Sequence, residues 1–153
     1  MTTKDFITTF LVEQTPNEVF EAIKNARGWW SENIEGNTEN LNDVFFYSVK
    51  DQHHCTVKLI EVVANQKMEW LVLDNYFHFT ADQTEWKDTR ISFEITKQDG
   101  KTQVHFTHIG LVPGFECYDL CFKAWIFYIT NSLKDLITTG KGQPNAKEEL
   151  QKH

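Results

Sequence analysis

The residue types able to do nucleophilic, acid/base or metal chemistry fall in three small groups. His53, His54 and Cys55 are consecutive, His105 and His108 stand three apart, and Cys117 and Cys121 stand four apart. On a β-strand, alternation puts His53 and Cys55 on one face and sends His105 and His108 to opposite faces. On a helix, a spacing of four puts both cysteines on one side. None of these spacings is the CxxC or HExxH of a zinc site, so no metal ligand is assigned. Cys117 falls in the first turn of a predicted helix, where the dipole favours a thiolate, but Glu116 and Asp119 oppose that. The chain has no GxSxG elbow and no glycine-rich phosphate loop. No catalytic residue and no cofactor is assigned.

His108 is the most informative of the group. Strand parity places it with Val104 and Phe106 on the apolar face, either as a satisfied core group or as a polar handle inside a cavity. Tyr118 poses the same alternative from the helix side, since its buried hydroxyl would need a partner. Around them stand twelve Phe, five Trp and four Tyr, a high aromatic content of 14%. Packing explains any one of these rings. A sheet and a helix that both present bulky, spaced aromatics can also enclose a pocket.

The elements that must position these residues are read from periodicity. Phe6 to Glu13 reads as a strand. Thr15-Pro16-Asn17-Glu18 carries the N-cap, first-turn proline and capping-box glutamate of a helix that runs to about Ala26 and breaks at Gly28. Trp29 to Asn42 reads as a short helical turn and a loop. Strands follow at Val44 to Lys50, Cys55 to Val63 and Lys67 to Asp74, with Asn75 to Asp88 undecided between strand edge and loop. Thr89 to Lys97 alternates, with Ile91, Phe93 and Ile95 on one face. Asp99-Gly100 meets the positive-φ demand of a hairpin turn, and Thr102 to Ile109 returns as the last strand. From Phe115 to about Thr139 the period becomes helical, with Tyr118, Phe122, Trp125, Ile129, Leu133 and Leu136 on one stripe and Gly140 as C-cap. The order gives an α+β fold: one domain over residues 1–140, then a polar, flexible tail over 141–153.

Composition bounds the function. The 153 residues carry 15 Lys and Arg against 22 Asp and Glu, a net charge of −7, with no basic cluster to meet a phosphate backbone. Nucleic acid is therefore not an expected partner. No apolar run approaches the roughly 18 residues of a membrane span. Three cysteines, an odd number, and no secretory leader point to a reducing compartment, the cytoplasm.

Several strings together resemble a known family: TPNEVFEAI after the opening strand, Trp29-Trp30, EWKDTRISFEI, VHFTHIGL, and ECYDLCFKAWIFYITNSLKDLITTGKGQP. The pattern resembles the START/Bet v 1-like (SRPBCC) superfamily. Within it, the chain is similar to single-domain bacterial proteins related to the C-terminal domain of the Hsp90 ATPase activator (AHSA1-like). The resemblance implies a helix-grip fold, a curved antiparallel sheet wrapped around a long C-terminal helix with two short N-terminal helices. It also implies a cavity for a small hydrophobic, aromatic or amphipathic ligand, lined here by Trp29, Trp70, Phe93, Phe106, His108, Tyr118, Phe122, Trp125 and Ile129. Two alternatives accompany this reading: an enzyme of cyclase or hydrolase type using the same cavity with His108 as acid/base, and an interaction protein acting on a chaperone ATPase. The activator's additional N-terminal domain has no counterpart in these 153 residues, which counts against the chaperone alternative.

Overall fold

In the computed structural model, residues 5–49, 53–77, 86–111 and 118–144 are described. Strand β1 (Phe6–Val12) leads into helices α1 (Pro16–Lys24) and α2 (Ala26–Trp29), followed by strands β2 (Ile34–Gly36), β3 (Val44–Val49), β4 (His53–Val63), β5 (Lys67–Phe77), β6 (Arg90–Gln98) and β7 (Lys101–Ile109). A long C-terminal helix then runs through α3 (Tyr118–Phe127), a π-helical segment (Tyr128–Leu133) and α4 (Lys134–Thr139). All seven strands form one antiparallel sheet in the order β1-β7-β6-β5-β4-β3-β2. This is the α+β helix-grip architecture.

Local chemistry explains the boundaries. The Thr15 hydroxyl accepts from the Glu18 N–H at 3.1 Å while the Glu18 carboxylate accepts from the Thr15 N–H at 2.9 Å, closing both ends of a capping box. Asp99 and Gly100 both take positive φ, 51° and 83°, as a two-residue hairpin of the primed type requires. Inward parity holds along each strand: Ile91 and Phe93 on β6, and Val104, Phe106 and His108 on β7, are all fully buried.

Four details differ from the pattern-based reading. The first helix ends at Lys24, capped by Asn25, close to the expected Ala26, but Gly28 lies inside a second helix, α2, instead of breaking the helical run. Its missing side chain matters there, because a Cβ would come within 2.5 Å of the Asn25 side chain. The Trp29 to Asn42 segment contains a strand, β2, too short to leave a periodic signature. The C-terminal helix is not one continuous α stripe. Its buried face runs Cys121, Trp125, Ile129, Leu133 and Ile137 in steps of four. An α-helix would rotate such a stripe off the core, and the wider π segment takes up the drift. Phe122 consequently leaves the inward face and is 37% exposed, resting on Phe6 with centroids 5.4 Å apart. Finally, residues 141–144, assigned to the tail, are docked: the Gln143 N–H donates to the Ser132 hydroxyl at 2.7 Å, and Gly142 fits where a Cβ would meet the Gly28 and Ser132 carbonyls. Pro113, Gly114, Phe115, Cys117, the Ala81 to Glu85 loop and the end of the tail lie outside the described residues.

Candidate functional site

Parity on four strands, β3, β5, β6 and β7, directs large rings between sheet and helix. Trp70 (β5) stacks on Trp29 and Trp30 at centroid distances of 6.3 and 5.7 Å, and Phe93 (β6) and Phe45 (β3) meet it edge-on at 5.0 and 5.2 Å. Trp30 continues the contact to Tyr47 at 4.3 Å and to Trp125 on the helix at 5.3 Å. Trp125 stacks on Trp86 at 5.8 Å and touches Phe106 at 4.8 Å. All five tryptophans of the chain therefore belong to one contact network. The α2 segment that delivers two of them is tied down by the Ser132 hydroxyl, which donates to the Trp29 carbonyl at 2.7 Å, and by Arg27, which donates to the Ile34 and Gly36 carbonyls.

This aromatic cluster is apolar, but two imidazoles stand at one end of it. His108 is fully buried and held on both nitrogens. Trp125 Nε1–H can only donate, and it does so to His108 Nδ1 at 3.0 Å. The proton of the neutral ring is therefore on Nε2, which donates to the Thr89 hydroxyl at 2.9 Å; that hydroxyl in turn donates to the Trp86 carbonyl at 2.6 Å. The relay is complete, and a second proton on Nδ1 would face the indole N–H. Burial drives the His108 pKa down to about 3, with the charge of His53 adding to the effect. A ring so engaged is a neutral structural anchor with no nitrogen free to exchange a proton with a substrate. The satisfied-core alternative describes it, and the acid/base role does not.

His53 enters the same region from β4. Its Nε2 lies 3.0 Å from Asn75 Oδ1, and its ring meets Tyr47 at 5.1 Å and Trp86 at 4.8 Å. Burial lowers its pKa to about 3; the Asn75 hydrogen bond opposes this and the charge of His54 adds to it. Cys55, two residues on, is buried on the same face, and burial pushes its thiol pKa up, away from the nucleophilic range. Glu69, the one buried carboxylate among the described residues, is on the opposite face, paired with Arg90 at 2.9 Å and Lys67 at 3.5 Å. No described Asp, Glu, Lys or Arg side chain is buried between sheet and helix.

Trp70 Nε1–H is buried among Trp29, Trp30, Phe45 and Phe93, with no acceptor among the described residues. An unmet indole N–H costs about 1–3 kcal/mol where water is excluded.

The architecture matches solved structures over almost its whole length. An Aha1 dimer from Colwellia psychrerythraea aligns with a TM-score of 0.72 at 20% identity, covering 91% of this chain and 99% of that one. The likeness bears out the helix-grip fold. DynU16, from the dynemicin biosynthetic locus, aligns at a TM-score of 0.69 and 12% identity over 95% of this chain and 52% of its own. A protein from Staphylococcus saprophyticus aligns at 0.63 and 17%, over 94% and 98%. At such identities the likeness concerns the fold alone. No family model and no curated protein sequence matches the chain.

Within this fold, Trp29, Trp70, Phe93, Phe106, His108, Trp125 and Ile129 are buried between the sheet and the long helix. Tyr118 and Phe122 stack on each other at 6.0 Å beside Phe6, toward the β1 edge, separate from that group. Sequence reasoning did not select Trp30, Tyr47, His53, Asn75 or Trp86. Alternation from Phe45 would have found Tyr47, and the pairing of His53 with Cys55 already placed His53 inward. Trp86 follows a segment without periodicity and gave no parity signal.

Proposed function

We propose that the chain binds a small, uncharged, hydrophobic or aromatic molecule between the sheet and the long helix. Trp29, Trp70, Phe93, Phe106, Trp125 and Ile129 would form the walls. His53 and Asn75 would mark the polar end, and Tyr118 and Phe122 the rim nearest β1. The observation that carries this reading is Trp70 Nε1–H, a buried donor without an acceptor among the described residues, set in a cluster of aromatic rings. A ligand carbonyl or ether oxygen reaching it would satisfy a group the fold leaves unmet. The ligand is read as neutral because the described interior holds no charged side chain to compensate a carboxylate or an ammonium. The rings are in contact with one another, so binding requires them to part.

The catalytic alternative loses its acid/base group to the Thr89–His108–Trp125 relay. The chaperone alternative rests on likeness of fold to Aha1, and fold does not carry function. Two of the three cysteines, Cys55 and Cys121, are buried free thiols, in keeping with a cytoplasmic setting. The test is a joint titration of tryptophan fluorescence and melting temperature against neutral aromatic ketones, quinones and flavonoids, each beside a carboxylate analogue. Ligand binding only the native state stabilises it by about 2.7 kcal/mol at a hundred times Kd. A saturable response to neutral compounds and a weaker one to the acids is expected. An unchanged spectrum and midpoint across the panel overturns the reading.

A further inference from the structure

We propose that the convex face of the sheet carries a separate site for a small organic cation, a protonated amine or a quaternary ammonium group. Strands β3, β4 and β5 lie side by side there. Their register forms two adjoining rows, Phe46–Thr56–Asp74 and Ser48–His54–Tyr76. Between Thr56 and Val57 the β4/β5 register shifts, leaving Leu73 without a partner across β4. A bulge of this kind bends the strand and opens the surface beside it. A cavity of about 170 Å³ lies at this point, lined by Phe46, His54, Thr56, Asp74 and Tyr76 and floored by β4 and β5 at Cys55 and Asn75.

The lining combines aromatic faces with one carboxylate. Three rings follow one another across the strands, Phe46 to His54 at 5.8 Å and His54 to Tyr76 at 5.6 Å, and the faces of Phe46 and Tyr76 carry negative quadrupoles. The Asp74 carboxylate uses one oxygen to accept its neighbour's Asn75 N–H at 3.0 Å and has no ion-pair partner among the described residues. The nearest strand lysine, Lys58, sits one row away opposite Val44 and makes no pair with it. An anion would meet the carboxylate and a net charge of −7. A neutral apolar group would cover the carboxylate without pairing it, at a desolvation penalty. A cation with alkyl substituents satisfies both, by cation–π contact with the rings and Coulomb attraction to Asp74.

The site touches the proposed interior site only through Asn75 and shares none of its rings, and the tetramethylammonium titration reads the two apart through different side chains. The experiment is an NMR titration of the intact protein with tetramethylammonium chloride, with sodium chloride and tert-butanol as controls. Tetramethylammonium is expected to give saturable shifts at the Phe46, His54 and Tyr76 rings while the five indole N–H signals stay in place. Sodium chloride and tert-butanol are expected to give none. Asp74→Asn, which keeps the acceptor for the Asn75 N–H, is expected to weaken binding roughly tenfold, and Phe46→Leu several-fold. Absence of saturable shifts, equal binding of tert-butanol, or an Asp74→Asn affinity equal to wild type overturns the proposal.

Discussion

Replacing His108 with Gln should flatten the acid side of the stability profile, and the burial of the imidazole sets the size of the effect. In the folded protein His108 is neutral with a pKa of about 3, whereas an unfolded-chain imidazole titrates near 6.5. Between those values the unfolded state holds one proton more than the native state, so stability rises with pH and falls on acidification. The contribution is fully present above pH 6.5 and is lost progressively as pH drops toward 3. Each pH unit in that window is worth about 1.4 kcal/mol, so about 2 kcal/mol is lost between neutral pH and pH 5 from this residue. Against a typical total of 5–15 kcal/mol, that is measurable. Gln can accept from Trp125 and donate to Thr89 but does not titrate. Urea unfolding followed by tryptophan fluorescence, at intervals from pH 5 to pH 7.5, gives both profiles. The variant should be less stable at neutral pH, and the gap should close toward pH 5 by about 1.4 kcal/mol per unit. Carboxylates titrate in both proteins and cancel in the difference. Parallel profiles would mean that His108 protonates freely in the native state, and the relay would be wrong.

Trp125→Phe removes the donor to His108 Nδ1 while retaining a ring; it should cost about 1–3 kcal/mol in denaturant unfolding and raise the His108 pKa in an NMR titration. Gly36→Ala places a Cβ 2.5 Å from the Val44 carbonyl oxygen at a φ of +104°, so calorimetry should show a melting temperature lowered by several degrees. Ser132→Ala unties both the Trp29 carbonyl and the Gln143 N–H. Hydrogen exchange at Gln143 should quicken markedly, more than at sites in the central strands. Thr15→Ala should cost about 1 kcal/mol through loss of the capping box.

What was legible in the sequence was whatever a local rule dictates. The cap at Thr15, the turn at Asp99-Gly100 and the inward faces of β6 and β7 each follow from a few neighbouring residues, and the structure has them. The order of elements, joined to the quoted strings, was enough for the helix-grip fold. The misses have the opposite character. Nothing within Ile34–Gly36 announces a strand, because β2 exists only as the partner of β3. The π segment is a tertiary accommodation: a stripe of four-residue steps reads as ordinary helix until the core it must follow is known, and that is why Phe122 was placed inward. Parity identified His108 as interior, but its role depended on Trp125 and Thr89, seventeen and nineteen residues away and on different elements. Trp86 owes its place to the same relay and to no pattern of its own.

The most direct test of the interior site is the set of five indole N–H signals in a two-dimensional NMR spectrum, recorded while a neutral aromatic ketone is added. The account predicts that the Trp70 Nε1–H signal moves downfield and saturates as it gains an acceptor, with smaller ring-current shifts at Trp29 and Trp30. The Trp125 signal should hold, being already bound to His108. A Trp70 signal that stays fixed while ligand binds elsewhere, or while none binds, would contradict it.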